Sequence, residues 1–303
     1  MAGRLICCGD LCADVFLRIG SLPAKGEDCV AKEMQIHAGG AAANCAICAS
    51  RLGTPTEIIS LVGTDPFSTA LVRELSEMGV GTSHVRAVPG QSCVVIIFID
   101  GTSERTMVSF RGANASNYGA INANLITCRD CVYVSGYSFQ TENSRATAME
   151  LITLAENVDA IRALDPSYVF ARDARNLYRA ALAHIDFIFP NRQEARLLSG
   201  SSDVEEAAAV IRQLGPHTVV ITLGADGCYI DSDEVRAFIP AVPGITAVDT
   251  TGAGDAFCGG FLTAILRGMD CGAAACAGHE AAAKIVQSVG GHDRMPQRNN
   301  ARD

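Results

Sequence analysis

The sequence predicts an α/β protein with a doubly wound, mostly parallel central sheet flanked by helices, and with a small β-sheet lid. Along most of the 303 residues, short apolar runs alternate with amphipathic or alanine-rich helical segments. This alternation is typical of a parallel sheet that is covered by helices on both faces. Residues 13–37 and 91–112 carry strand patterns without a helix, and we expect them to form the lid. The length suits one such domain with a small appendage, so residues 1–303 are predicted to be a single domain.

Each element follows from a local pattern of apolar residues. The predicted strands of the central sheet are residues 5–8, 57–62, 131–135, 161–165, 187–189 and 218–222. The predicted helices are residues 42–52, 66–78, 144–156, 192–198, 203–214, 257–266 and 271–289. In the lid, strand-like pieces are expected at 15–19, 29–36, 92–99 and 106–110, with Asp100-Gly101 as a hairpin turn signal. Residues 245–248 are predicted to be an extended run that leads into the helix at 257.

Composition restricts the partners. The net charge of −9 argues against nucleic acid as the main partner. No apolar run approaches the ~18 residues that a membrane-spanning helix needs, so no membrane contact is expected. The first residues predict a strand rather than a secretion signal.

The 13 cysteines are scattered along the chain. Cys45 with Cys48, and Cys128 with Cys131, have the spacing of zinc ligands. However, the first pair lies on an apolar helix face and Cys131 opens an alternating strand, so burial as small hydrophobic side chains is the better interpretation. Reduced thiols and the absence of a secretion signal predict a cytoplasmic protein.

Residues 249–255, Asp-Thr-Thr-Gly-Ala-Gly-Asp, are the most informative stretch. Glycines at a helix start allow backbone N–H groups to approach a ligand, and those groups together with the helix dipole form an anion site. Asp255 places a carboxylate beside this site, which suits a base that takes a proton from an attacking hydroxyl during phosphoryl transfer. Taken alone, helix capping by Asp255 explains the pattern equally well.

A second glycine turn precedes the first predicted helix. Gly39 and Gly40 allow close approach of a ligand, and Asn44 offers a donor and acceptors on the first helical turn. Asp14 adds a carboxylate able to hold two hydroxyls of a polyol, although a solvated loop residue is the simpler interpretation of Asp14 alone. No Gly-x-x-x-x-Gly-Lys-Ser/Thr motif occurs, which excludes a P-loop kinase.

With these motifs the sequence resembles the ribokinase-like (PfkB-type) family of carbohydrate kinases over nearly its whole length. Two specific motifs carry the resemblance, residues 39–44 with 51–53 downstream and residues 249–255. Residues 190–194 and 222–227 support it. The four motifs occur in the family's order at about the family's spacing, and the two lid segments fall where this family carries a lid.

The resemblance implies roles for individual residues. Asp255 would be the catalytic base, with an anion hole made by the N–H groups of Gly252, Ala253 and Gly254. The sugar-binding positions would be Asp14, Gly39, Gly40 and Asn44. The nucleotide-binding positions would be Asn191, Thr222, Gly224, Gly227 and His279. His279 is a lone histidine on an alanine-rich helix, so a place in the core is equally plausible for it.

The resemblance also implies ATP and metal ions. Glu194 lies three residues after Asn191, on the same helix face, and matches the position that holds Mg²⁺ through water. Asp249 and Thr251, with the backbone near Gly290 and Gly291, match a monovalent-cation site of many members, which K⁺ would fill. ATP and Mg²⁺, with K⁺ at that site, are the expected cofactors.

The implied activity is transfer of the γ-phosphoryl group of ATP to a hydroxymethyl of a small sugar of the fructose, ribose or keto-sugar type. A nucleoside kinase of the adenosine or pseudouridine type is the alternative. A non-catalytic sugar or nucleotide sensor is a third possibility, but it would be expected to lack Asp255 or its glycines. Arg105 and Arg111 on the lid hairpin fit an acidic substrate or a solvated face. An open β edge tends to pair, so a homodimer through the lid is expected.

Overall fold

A computed structural model describes residues 3–101, 105–177 and 179–287, with the side chains of 174–179 left out. In chain order the strands are β1 Leu5–Cys8, β2 Cys12–Arg18, β3 Glu33–Gly39, β4 Thr56–Val62, β5 Val85–Ala87, β6 Cys93–Ile99, β7 Arg105–Phe110, β8 Cys131–Ser135, β9 Ile161–Asp165, β10 Phe187–Ile188, β11 Thr218–Thr222, β12 Cys228–Asp231 and β13 Arg236–Ile239. The α-helices are α1 Ala41–Arg51, α2 Pro66–Glu77, α3 Glu142–Asn157, α4 Tyr168–Leu177, α5 Arg179–Leu182, α6 Arg192–Ser199, α7 Val204–Gln213, α8 Ala253–Leu266 and α9 Cys271–Ile285.

The described residues contain a nine-stranded central sheet in the order β13-β12-β11-β10-β9-β8-β1-β4-β5. Its pairs are parallel except β11 with β12 and β12 with β13, which are antiparallel. Parallel strands need crossover connections, and here helices supply most of them. The predicted doubly wound, mostly parallel sheet is confirmed.

Two apolar layers pack against the faces of this sheet. One contains buried residues of α1, α2, α8 and α9, including the fully buried Phe261. The other contains buried residues of α3, α4, α6 and α7, including the fully buried Phe170. Because both faces are covered, the strands read as continuous apolar runs rather than alternating ones. The strand ends remain available for polar groups.

The lid is a separate four-stranded sheet in the order β3-β2-β6-β7. Cys12 pairs with Cys93 in the parallel β2–β6 ladder, while the other two pairs are antiparallel. Phe16, Ile97 and Ile99 form its small buried cluster. The second sheet predicted from the two insertions is therefore present. The turn begins at Asp100-Gly101, and residues 102–104 lie outside the described part.

Several predicted boundaries and elements were wrong. Residues 245–248 do not form a strand. The N–H of Val248 donates to the carbonyl of Val286, directly after α9, at 2.7 Å and not to a neighbouring strand. The strand expected at 29–36 begins at Glu33, and the helix expected from 257 begins at Ala253. Of the helix predicted for 271–289, residues 288 and 289 lie outside the described part. The hairpin β12–β13, the strand β5 and the helices α4 and α5 were not predicted.

The cysteines are free thiols, and Cys45, Cys48 and Cys131 are buried as expected, whereas Cys128 is exposed. The zinc interpretation therefore finds no support in either pair. In the part of the chain that the structure covers, no helix combines the length and apolarity that crossing a bilayer requires.

Candidate active site

Asp255 lies in the first turn of α8, close to residues from distant parts of the chain. Gly252 precedes the helix with φ +73°, a left-handed conformation that side chains disfavour. No side-chain cap hydrogen bond is formed at this helix start, so Asp255 does not act as the cap. Its Oδ2 instead accepts a hydrogen bond from Nδ2 of Asn44 at 2.7 Å. Two glycine-rich motifs that are 211 residues apart thus meet at one carboxylate.

The surroundings of Asp255 tune its acidity. Desolvation by the enclosing protein raises the pKa of Asp255 to about 6, and the hydrogen bond from Asn44 opposes that rise. A carboxylate with such a pKa is still mostly ionised at neutral pH, yet it is more basic than an ordinary aspartate. These are the properties that a general base needs.

A cavity of about 190 Å³ opens beside Asp255 at the carboxyl ends of the parallel strands, where ligands bind in open α/β sheets. Ser135, Asp165 and Thr222 end the strands β8, β9 and β11 there. The other lining residues include Ala41, Tyr137, Asn191, Glu194, Gly254 and Cys258. The structure thus brings together the predicted base, part of the anion hole and three predicted nucleotide or metal positions.

The predicted sugar-binding residues lie on the lid side of Asp255. A Cβ atom on Gly39 would lie 2.0 Å from Oδ2 of Asp14, so only glycine permits this close approach. Gly40 precedes α1 as its N-cap residue. Among the described residues, the buried Oδ1 atoms of Asp14 and Asn44 have no hydrogen-bond partner. Buried polar atoms usually have one, so these two acceptors indicate a place for ligand hydroxyl groups.

Asp14 is also electrostatically coupled to the base. Burial and the negative charge of Asp255 together raise the pKa of Asp14 to about 7, while His37 opposes the rise. Asp14 is therefore no solvated loop residue. A neutral polyol bound between the two carboxylates would donate hydrogen bonds to both and offset their desolvation.

Asn191 and Glu194 form a capping box at the start of α6. The side chain of Asn191 accepts from the N–H of Glu194, and the carboxylate of Glu194 accepts from the N–H of Asn191, both at 2.9 Å. Burial raises the pKa of Glu194 to about 7, and the charge of Asp255 contributes. Thr222 pairs with Asn191 in an isolated parallel bridge, which aligns β11 with the start of α6.

Gly224 and Gly227 lie in the short 3₁₀ turn and its end between β11 and β12. His279 is buried on α9, with its ring 5.0 Å from that of Phe257 and hydrogen-bonded to the backbone of Ile239. Burial lowers its pKa. His279 does not line the cavity described above, so the structure does not bring it together with Asp255.

Asp249 and Thr251 lie directly before the predicted anion hole, and Arg105 of the lid contacts both of them. Its Nη1 donates to Oδ1 of Asp249 at 2.7 Å and also contacts Oγ1 of Thr251. Nη2 contacts Oγ1 of Thr250. Gly290 and Gly291, the remaining members of the predicted cation site, lie outside the described residues.

Asp165 also lines the cavity described above, although it was not predicted as a site residue. Burial raises its pKa well above the ordinary value, with the charges of Glu194 and Asp255 adding to the rise, while the hydroxyl of Tyr133 donates to its Oδ2 at 3.0 Å. The available signal was a carboxylate at the last position of a predicted strand, where parallel sheets place their ligands.

Arg111 binds protein groups rather than solvent. It pairs with Asp10 at 2.7 Å and donates to the carbonyl of Tyr137 and the side chain of Gln140. Asp10 also lies near the buried Cys12 and Cys93, with the possible ligand atoms within 4.8 Å of one another. Because the carboxylate already pairs with Arg111, we assign no metal to this group. Neither lid arginine fits the solvated-face interpretation.

A doubly wound sheet with a strand-built lid, and with a buried carboxylate at a glycine-preceded helix start, defines a kinase of the ribokinase-like fold. The model of the pfkB family carbohydrate kinases matches residues 3–298, and the chain belongs to this family. It is 29% identical to a ribokinase of Haemophilus influenzae, covering 98% of this chain and 97% of the relative.

Other similarities extend beyond ribokinases. The chain is 30% identical to a nucleoside kinase of Methanothermobacter thermautotrophicus, over 98% of this chain and 94% of the relative. The structure of an Arabidopsis thaliana ribokinase complexed with ribose and ATP superimposes with a TM-score of 0.84 at 25% identity, covering 98% of this chain and 97% of that one. The family and the kinase activity are thus established, whereas the relatives differ in their substrates.

Proposed function

We propose that this kinase transfers the γ-phosphoryl group of ATP to a hydroxymethyl group of a small sugar of the fructose, ribose or keto-sugar type. The observation that carries the proposal is the hydrogen bond between Asn44 and Asp255. It joins the polyol-binding side of the site to the carboxylate beside the anion hole. A hydroxyl group bound at Asn44 and Asp14 would lie next to both the carboxylate of Asp255 and the anion hole.

In this proposal Asp255 accepts the proton of the attacking hydroxyl. The N–H groups of Gly252, Ala253 and Gly254 receive the negative charge of the transferring group at the positive end of the helix dipole. Phosphoryl transfer has a loose transition state, so positioning and electrostatics do most of the catalysis. Closure of the lid would exclude water and suppress hydrolysis of ATP.

ATP would lie along the cavity toward Asn191, Thr222, Gly224 and Gly227, and His279 remains a predicted adenine neighbour. The residues fit Mg²⁺, because carboxylates are its preferred protein ligands and those of Asp165, Glu194 and Asp255 surround one cavity. Glu194, through water, is the proposed holder. Bound Mg²⁺ would neutralise charge on the phosphates.

The experiment that tests the function is ATP turnover by the purified protein with Mg²⁺, across fructose, ribose, keto-deoxy-gluconate, tagatose, adenosine and pseudouridine. A strong response to one sugar supports the proposal. A response to nucleosides alone supports the nucleoside kinase, which the similarity to the Methanothermobacter enzyme keeps in contention. Binding of ATP without turnover on any acceptor favours the sensor.

We predict that kcat rises with pH through the pKa of Asp255, about 6. The base is active when ionised, so kcat should fall about tenfold for each pH unit below that value and level off above it. Asp14, with a pKa of about 7, affects sugar binding over a similar range. The profile is therefore measured at saturating sugar. A flat profile between about pH 5 and pH 8 would contradict the assignment.

We also propose a homodimer that pairs through the lid. Met107, Val108 and Phe110 on the strand β7, which is an edge of the lid sheet, are 49%, 58% and 53% exposed. Exposed apolar residues on an edge strand favour pairing with another copy. We expect Val108→Arg to convert a dimer into a monomer in sedimentation velocity. Met269→Arg, at another exposed apolar residue outside the lid, is the control; a wild-type monomer would disprove the dimer.

A further inference from the structure

We infer that the guanidinium group of Arg105 takes the place of the monovalent cation beside the anion hole, so that catalysis by this enzyme does not depend on K⁺. The inference deepens the proposed function and rests on it for the activity measurements. Asp249 and Thr251, the described residues of the expected cation site, do not offer a free ion their Oδ1 and Oγ1 atoms, because the lid already places a positive charge there.

The hydrogen bonds at Asp249 carry the first step. Its Oδ1 accepts from Nη1 of Arg105 at 2.7 Å, from the N–H of Thr251 at 2.8 Å and from the hydroxyl of Thr251 at 2.7 Å. Three donors therefore share this one oxygen, which has two lone pairs. Oγ1 of Thr251 also receives Nη1 of Arg105. A K⁺ ion that used either of these oxygen atoms as a ligand would have to displace the arginine.

The charges carry the second step. The side chain of Asp249 is 5% exposed and that of Arg105 is 22% exposed, so water screens the pair weakly. A guanidinium group stays protonated at every physiological pH. The guanidinium group therefore neutralises Asp249 with a permanent charge. It would repel a second cation at the same carboxylate.

The position of the arginine carries the third step. Arg105 is the first residue of the lid strand β7 and lies 144 residues from Asp249 in the sequence. Its two terminal nitrogens contact all three residues that precede the anion hole, Asp249, Thr250 and Thr251. Arg105 is thus a positioning residue that orients the loop before α8 and links it to the lid.

The test compares wild type, Arg105→Gln and Arg105→Lys as KCl replaces tetramethylammonium chloride at a constant ionic strength of about 0.1 M. We expect wild-type kcat to change less than about twofold with K⁺, and R105Q to lose about tenfold and regain it as K⁺ saturates. R105K keeps a positive charge and should stay independent of K⁺. Arg18→Gln removes another lid arginine, which is paired with Glu33, and serves as the matched control.

A second readout does not require turnover. An ion that binds the native state raises the melting temperature, so K⁺ should stabilise R105Q and leave wild type and R18Q unchanged. Saturable K⁺ activation of wild type, or a K⁺-specific rise in its melting temperature, would overturn the inference. An R105Q variant that stays insensitive to K⁺ in both readouts would also overturn it. Failure of every acceptor sugar would remove the proposed function while leaving the melting test intact.

Discussion

Replacing Asp255 with asparagine is expected to lower kcat by about 10²–10⁴-fold and to leave the KM for sugar within about threefold. Asparagine keeps the shape of the side chain and an oxygen that accepts from Nδ2 of Asn44, but it cannot take a proton from the attacking hydroxyl. The loss should therefore be confined to the chemical step. Steady-state kinetics with the sugar identified by the acceptor panel measure it.

A matched control separates chemistry from helix structure. Asp270 is the N-cap residue of α9 and its side chain accepts from the N–H of Ala273 at 2.8 Å, so Asp270→Asn changes an aspartate at a helix start that does not line the cavity. This variant should keep wild-type kcat. An unchanged kcat in D255N would remove Asp255 from the role of base.

D255N should also fold at least as well as wild type. The pKa of Asp255 in the folded state, about 6, exceeds the ordinary value of 3.8. The folded protein thus holds this proton more tightly than the unfolded chain, and stability falls as pH rises from about 4 to about 6. At pH 8 the ionised carboxylate costs at most about 3 kcal/mol, which asparagine avoids. A melting temperature at pH 8 that is clearly lower for D255N would contradict this account of the site.

The sequence predicted the parallel strands β1, β4, β8, β9, β10 and β11 because each is an apolar run, whereas the parallel strand β5 is short and mostly exposed. The hairpin β12–β13 was not predicted because β13, Arg236–Ile239, alternates exposed and half-buried residues and so lacks an apolar run. The polar turn Ser232–Val235 precedes it. The helix α4 was not predicted because its buried residues Phe170 and Ala171 are adjacent in the sequence. Two adjacent apolar residues do not give the helical periodicity on which such a prediction depends.

The candidate site was predictable to the extent that its motifs are local. Gly39 and Asn44 belong to one short glycine-rich motif and Asp255 to another, and the structure brings the two motifs together. The partners of Asp249 and the inclusion of Asp165 depend on long-range contacts: Arg105 reaches across 144 residues, and Asp165 meets the cavity through the fold of the sheet. No local pattern specifies which carboxylate a lid arginine will contact. Burial and charge at these positions became apparent only with the tertiary structure.

At pH 8, where Asp14 with its pKa of about 7 is mostly ionised, replacing it with alanine is expected to raise the KM for sugar by about 10–10³-fold. Hydrogen bonds to a charged group contribute roughly 1.5–3 kcal/mol each, and the buried Oδ1 of Asp14 is left for the ligand. Asp14→Asn keeps one acceptor oxygen and should fall between alanine and wild type.

The control for Asp14 is another aspartate of the lid segment. Asp28 lies exposed between β2 and β3, so Asp28→Ala should leave both constants unchanged. A KM for sugar that rises from wild type to D14N to D14A indicates lost ligand contacts. A damaged lid would, in addition, increase ATP hydrolysis in the absence of sugar. Equal KM values in wild type and D14A would show that the sugar binds elsewhere. The orphaned acceptors of Asp14 and Asn44 would then require a different ligand.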